Sequence, residues 1–443
     1  MLNIRLRRSA LALVAVLGVA LVGVLPAGAD VGRAAAGGAS EIGVTASTVN
    51  VAVVADVDNA IAPNVFKGVV DGAQAAAKYV NANGGVAGRT LKVDFIDSHL
   101  NPNQTRNAII TACGQDLAMV GTATALFSGL DDMTGCKDKA GAATGLPDIG
   151  AVVLGTPEAC APVSFPVIPS QIDCATVGKV PQTYRGNQGV FTYLAKKHKT
   201  LNGPFIKTND SPDAERSTDV LNKAAQHAGI NVTSAPVLSN RDQQSAFTTI
   251  VTKMKQDGSN WSDNGLAAPG AVLFRQEAAL QGLTDPNLVW QCTSACYDQQ
   301  AMSAAGDVMN GEYVDLGFLP FSEASANKTL AGYLKYVGKG NANAFGVYGF
   351  EAVLAFQQAA NNAAKGSGGL TRASLLTALK NTTSFNAGGM VGTVNIGGKV
   401  PSSCFMVVQW ENGKFNRVYP TKKGTFDCTA SNRYTFQADL TTP

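Results

Sequence analysis

Residues 49–98 constrain this chain more than any other stretch, because two strand patterns flank one helix pattern with little spare chain between them. Residues 49–55 (VNVAVVA) are short, rich in valine and uncharged, as a strand buried on both faces of a parallel sheet should be. From Pro63 the period changes: Phe66, Val69, Ala73, Ala77 and Val80 recur at three- and four-residue steps. That spacing puts one apolar stripe on a helix of about twenty residues. Pro63 suits a first helical turn, where a missing N–H costs nothing. Asn83-Gly84-Gly85 supplies the left-handed exit that helix ends favour. Residues 90–96 (TLKVDFI) then predict a second strand, ending in Asp97. A strand–helix–strand unit of this length implies a right-handed crossover in a parallel sheet. Such sheets hold ligands beyond the carboxyl ends of their strands, here residues 55–59 and 97–101.

The first 29 residues read as a targeting segment rather than as fold. Arg5, Arg7 and Arg8 precede an apolar run over residues 10–25 and then Pro26-Ala27-Gly28-Ala29, the pattern of a secretory signal peptide cut near Ala29. An uncleaved membrane anchor fits less well, since sixteen residues are short for a bilayer span. No lipid-anchor cysteine follows the apolar run; the first cysteine is Cys113. Residues 30–46 are small and polar and read as a flexible lead-in. Removing residues 1–29 takes three of the 35 bases and no acid, which leaves 32 bases facing 32 acids. A neutral chain without clustered Lys and Arg gives no reason to expect nucleic acid or an anionic membrane as partner. Its size predicts two lobes.

All eight cysteines (Cys113, Cys136, Cys160, Cys174, Cys292, Cys296, Cys404 and Cys428) fall in the exported part. An even count in an oxidising compartment predicts disulfides, and we expect nearest-neighbour pairs: 113–136, 160–174, 292–296 and 404–428. Metal binding at Cys292 and Cys296 is the alternative, but neither a histidine nor a second close cysteine pair accompanies them. Along the chain the alternation continues. A helix is predicted over 104–115 with Asn103 as cap, a strand over 117–122, a helix over 128–143 and a strand over 147–154. Residues 157–182 are rich in proline and cysteine and read as a stapled loop. A second series follows, with helices at 187–199, 213–228 and 243–257 and near 277–282. Its strands are placed at 204–207, 230–238, 271–274 and 287–291, with an extended segment at 311–319. Helices at 324–338, 345–364 and 371–380 precede a hairpin of 404–410 and 414–419 around Glu411-Asn412-Gly413. The fold class is therefore α/β, two parallel-rich sheets flanked by helices.

Residues 51–55, the segment VNANGGVAGRTLKVDFIDSHLNPNQTRNA (80–108), Gly121, Asn209-Asp210-Ser211, FGVYGFEAVLA (345–355) and FMVVQWENGKF (405–415) resemble the leucine/isoleucine/valine-binding proteins. These are type I periplasmic solute receptors of ABC importers. The resemblance implies two lobes joined by three crossovers: lobe one from 47–182 plus 322–398, lobe two from 183–321 plus 399–443. It implies capture of a small solute and delivery to a membrane permease with an ATPase subunit. The receptor is expected to be a monomer outside the cytoplasm, periplasmic or in the cell envelope, without cofactor, metal or enzymatic activity. Carried over by position, the ligand would meet Asp56, Asp58, Thr124, Ala125, Phe127, Ser128, Gly155 and Thr156 in lobe one. In lobe two it would meet Tyr184, Asn209, Asp210, Arg275 and Gln276, with Phe345 and Tyr348 closing the cleft. Thr124, Ser128 and Thr156 would serve a carboxylate, and Asp210 or Asp298 an ammonium. Phe127, Tyr184 and Phe345 suit an aromatic or apolar solute, so the expected class is an amino acid, an amide or a small aromatic or apolar acid.

Each of these residues also has a plainer role. Asp56 and Asp58 can cap the loop before the first helix. Arg275 can form an inter-lobe ion pair instead of clasping a carboxylate, and Tyr348 can pack in the core. Gly84, Gly85 and Gly88 follow a helix rather than precede one, so they are turn residues and not a phosphate loop. His99, His198 and His227 are scattered, and the sequence holds no G-x-S-x-G, H-E-x-x-H or Walker motif. A secreted enzyme and an extracellular sensor that reports solute occupancy to a signalling partner are the alternatives.

Overall fold

The computed structural model describes residues 41–60 and 62–440. The expected signal peptide lies outside the described residues. The last part of the expected lead-in, 41–46, is packed: Val44 bridges to Val49 and Glu41 is buried.

Six short strands form the first sheet: β1 (Thr48–Ala55), β2 (Thr90–Asp97), β3 (Met119–Val120), β4 (Ala123–Thr124), β5 (Asp148–Ile149) and β6 (Val152–Val153). β2 and the β3–β4 ribbon flank β1, and β5–β6 lies outside the latter; every pairing is parallel. Four residues of β1 (Ala52 to Ala55) span five of its neighbour (Met119 to Ala123). The extra residue bulges at Gly121, whose φ of +89° suits glycine. This break divides the predicted strand 117–122 and makes a strand of Ala123–Thr124, which was expected to be loop. The helix Lys67–Ala82 crosses from β1 to β2 as predicted but begins after Pro63, which lies in the turn before it, and it packs against the long helix Ala344–Ala363. The two backbones approach so closely that a Cβ at Gly72 would run into the Gly346 carbonyl.

The strand β7 (Gln182–Asn187) opens the second half. It is followed by β8 (Asn202–Thr208), β9 (Asn231–Ser234), β10 (Val237–Leu238), β11 (Trp261–Asn264), β12 (Val289–Cys292) and β13 (Glu312–Leu316). The last strands are β14 (Met406–Glu411), β15 (Lys414–Tyr419) and β16 (Arg433–Ala438). β10 and β9 both pair with β8, then β11, β12 and β13 add in parallel, and β14 and β15 close the sheet antiparallel. Asn412 and Gly413 both have positive φ, the turn that a two-residue hairpin needs. β7 pairs with β16 as a separate ribbon. The chain passes between the sheets three times: between β6 and β8, after β13, and before β14.

The structure moves several expected elements. Residues 271–274 (AVLF) lie inside a helix, Ala268–Leu280. The strand expected there is β11, WSDN, polar in sequence yet buried at all four positions. The helix predicted over 128–143 shrinks to Leu130–Thr134. Asn101, not Asn103, caps the helix Pro102–Gln115, accepting from the N–H groups of Asn103 and Gln104. Tyr184 lies within β7 rather than in a loop. The disulfides join Cys113 to Cys136, Cys160 to Cys174, Cys292 to Cys296 and Cys404 to Cys428.

One buried cation ties the base of the first sheet together. The fully buried guanidinium of Arg372 donates to the carbonyls of Leu117, Lys137, Cys113 and Asp116, and its backbone N–H donates to Glu41. Arg372→Met would leave four carbonyls without a donor in a place water does not reach. We expect it to destabilise the protein by roughly 3–5 kcal/mol, read from urea denaturation followed by circular dichroism.

Candidate functional site

At the carboxyl edge of the first sheet, carboxylates hold the loops in place. Asp56 is fully buried and accepts from the Ser98 hydroxyl (2.6 Å), the Leu100 N–H (2.8 Å) and the Ala125 N–H (2.8 Å). Asp97 accepts from the N–H groups of Val57, Asp58 and His99. Asp58 itself is exposed. Phe127 and Ala125 are partly buried against the core, and Thr124 is buried with its hydroxyl unpartnered. None of these residues, nor Ser128, which is half-buried, lines the cavity between the sheets.

Between the two sheets lies a cavity of about 220 Å³. Its walls are the residues around β6 (Ala151, Val152, Val153, Leu154), the first crossover (Ile168 to Ile172), Tyr184 of β7, the first turns of the helix Pro212–His227, and Phe345 and Tyr348. Ser211 caps that helix, its hydroxyl accepting from the Ala214 N–H. Asp213, Arg216, Ser217 and Val220 then follow at one-turn spacing and share the cavity face. Arg216 donates to Thr156 Oγ1 at 2.6 Å and pairs with Asp213. Thr156 begins the short helix after β6, so this contact spans the cleft from one sheet to the other.

Of the residues expected at the ligand, Tyr184, Phe345 and Tyr348 line this cavity, and Gly155 and Thr156 sit at its rim beside Asp213 and Arg216. Asn209 is exposed. Asp210 accepts from the Thr208 hydroxyl, the Ser239 hydroxyl and Asn240, which organises a turn away from the cavity. Asp298 caps the helix Gln299–Ala305. The helical placement of 268–280 takes Arg275 and Gln276 away from any strand end. The Arg275 guanidinium pairs with Glu312 at 2.7 Å, donates to the Asn310 carbonyl and stacks over Trp290. Sequence reading missed Arg216, Asp213, Ser217 and Ser294. The face formed by residues 213, 216, 217 and 220 after a Ser-Pro helix start was the signal that could have found the first three.

A second cavity of about 200 Å³ adjoins the first across Pro169, Gln171, Ser294 and Tyr348. All three crossovers contribute to it. Tyr348 donates to Ser294 Oγ at 2.7 Å. Asp315, at the end of β13, and Glu351, one turn beyond Tyr348, also face this space. Burial raises Asp315 to about 6 and Glu351 to about 8, because no basic side chain relieves either. Elsewhere at the first sheet's edge, Glu158 is buried with both oxygens unpartnered; burial, with Asp148 and Asp213 nearby, holds it well above the usual carboxylate range.

Among the described residues no group of three or more His, Cys, Asp or Glu is placed to hold a metal ion. No helix among them is long and apolar enough to cross a membrane.

Glu351 makes stability depend on pH with a definite sign. Its folded value, about 8, lies above the ordinary 4.5, so the folded state holds the proton more tightly. Stability is lost as pH rises through that window, on the order of 4 kcal/mol by pH 8. Glu351→Gln removes this penalty. We expect its melting temperature to exceed that of the natural protein by several degrees at pH 8 and by little at pH 5, measured by calorimetry.

The family model described as "Periplasmic binding protein" matches residues 48–414. No curated protein sequence matches the chain. Solved structures share the fold at low identity. A solute-binding protein of an ABC transporter from R. palustris, in complex with benzoate, has a TM-score of 0.65 at 13% identity, covering 89% of this chain and 99% of that one. A fatty acid ABC transporter substrate-binding protein from Thermomonospora curvata has a TM-score of 0.63 at 16% identity, covering 87% and 97%. A leucine binding protein from Thermotoga maritima has a TM-score of 0.62 at 14% identity, covering 83% and 97%. With two parallel-rich sheets joined by three crossovers, the chain belongs to the type I periplasmic binding proteins, the leucine/isoleucine/valine-binding family of ABC importers.

Proposed function

We propose that this protein captures a small solute with an apolar or aromatic body and an anionic group, and delivers it to the permease of an ABC importer. The cavity between the sheets carries the reading. Its volume of about 220 Å³ falls below the range of drug-sized sites, which suits a small molecule. Tyr184, Phe345, Tyr348, Ile168 and Val220 give it an apolar wall. Arg216 is the cation on that wall, and a guanidinium offers a planar fork that matches a carboxylate. Relatives of this fold that bind benzoate, fatty acid and leucine by their names support an acid with an apolar body.

Closure belongs to the same reading. The Arg216–Thr156 contact links the two sides of the cleft, so a solute anion that shares Arg216 would be held only when both sides are together. Opening about the three crossovers would release it to the permease. The protein acts by binding and release outside the cytoplasm, without chemical change to its solute.

The test is a thermal-shift screen with benzoates, aliphatic acids, branched-chain amino acids and amides, followed by calorimetry. A ligand present at a thousand times its Kd should stabilise the protein by about 4 kcal/mol. Arg216→Ala should weaken carboxylate binding by about tenfold or more while leaving binding of a neutral amide of the same body nearly unchanged. A folded protein that shifts with none of these compounds would sink the reading, as would unchanged acid affinity in Arg216→Ala.

A further inference from the structure

The second cavity poses a separate question: why the hinge region holds two acids that the protein itself leaves unpaired. Glu351 is 5% exposed. It lines the cavity, and none of the described residues donates a hydrogen bond or offers an ion pair to its carboxyl. Asp315 shares the cavity and likewise lacks a cationic partner. Both share this cavity with Tyr348 and Ser294, the hydrogen-bonded pair that also lines the first cavity. The one basic residue on the wall, Arg185, is engaged with Asp173 at 2.6 Å.

A buried carboxyl without a partner costs several kcal/mol unless something donates to it. Packing does not explain the pair, because the side chains face open volume. Water in such a space donates to the carboxyls but does not neutralise their charge. A protonated amine does relieve it: one positive charge with three donors, set against two carboxyls and two hydroxyls.

We propose that this cavity is a subsite for a protonated amine at the far end of the solute, held by Asp315 and Glu351 with Ser294 and Tyr348 as neutral partners. The inference rests on the capture reading above and narrows it. The acid next to the carboxylate site, Asp213, is engaged by Arg216 itself. Asp315 and Glu351 lie in the adjoining chamber without a cationic partner, so the solute class is an ω-amino acid: carboxylate at Arg216, apolar spacer past Tyr184 and Phe345, amine behind Tyr348. At neutral pH the acid pair carries about one negative charge, with Asp315 ionised and Glu351 holding its proton, which balances one ammonium.

The test compares ω-amino acids of graded length and para-(aminomethyl)benzoate with counterparts in which methyl replaces the amine, by calorimetry on the whole protein. At least one amine should bind the natural protein about tenfold or more tightly than its methyl counterpart. The Asp315→Asn/Glu351→Gln double variant should abolish or reverse that preference while binding the methyl compounds at least as well. Exchanging the two acids for amides should leave the variant at least as stable as the natural protein, checked by its melting temperature, so the result is not one of unfolding. If methyl compounds bind as well as every amine, or the double variant keeps the amine preference, the subsite is overturned and capture at Arg216 stands. If no acid binds at all, the capture reading fails and takes the subsite with it.

Discussion

Parallel strands that end at one edge leave their last N–H groups and the loops beyond them without a ladder, and buried carboxylates meet that need here. The Asp56 carboxylate gathers the hydroxyl of Ser98 and the N–H groups of Leu100 and Ala125, thereby joining the exits of β1, β2 and β4. Asp97 does the same for Val57, Asp58 and His99, and Asp148 takes the hydroxyls of Thr122 and Ser164. Each carboxylate replaces lost hydration with fixed donors, at charge-assisted strength. The loops that border the cleft are therefore braced from below. A site whose walls are held this way loses little further freedom when a solute enters.

The same requirement separates the bracing acids from those of Asp315, Glu351 and Glu158. Where a buried carboxyl finds donors it is structural. Where it finds none, its proton is held harder and the fold is less stable than it would be with an amide. Asp315 and Glu351 border open volume at the hinge, whereas Glu158 is enclosed beside Asp148 and Asp213. Arg216 complements them on the other side of Tyr348, so the interior of the cleft is polarised from one chamber to the next.

The Cys113–Cys136 disulfide and the buried Arg372 sit away from this polarised axis, whereas Cys292–Cys296 brackets Ser294 and Cys404 lines the second cavity. Cys113–Cys136 lies beside the Arg372 guanidinium, at the end of the first sheet opposite the cleft. Cys404–Cys428 anchors the segment after the third crossover.

Much of the architecture was legible from local pattern. β1, the helix Lys67–Ala82 and β2 follow from apolar spacing, because neighbours two, three or four residues apart decide which face is buried. The hairpin at Asn412–Gly413 follows from residues that accept positive φ. Pattern failed where burial and polarity part company. β11 reads WSDN and is buried throughout, while the apolar AVLF run belongs to a helix. By itself, then, the sequence determined the two-sheet α/β plan, the family and the aromatic residues Tyr184, Phe345 and Tyr348 at the cleft. Only tertiary structure decided that Asp56 braces loops, that Arg275 belongs to Glu312, that Arg216 reaches Thr156, and that Asp315 and Glu351 line one cavity. The reason is distance along the chain: periodicity reports what a residue's near neighbours require, whereas a charge's partner is chosen by how three crossovers bring remote strands and helices together.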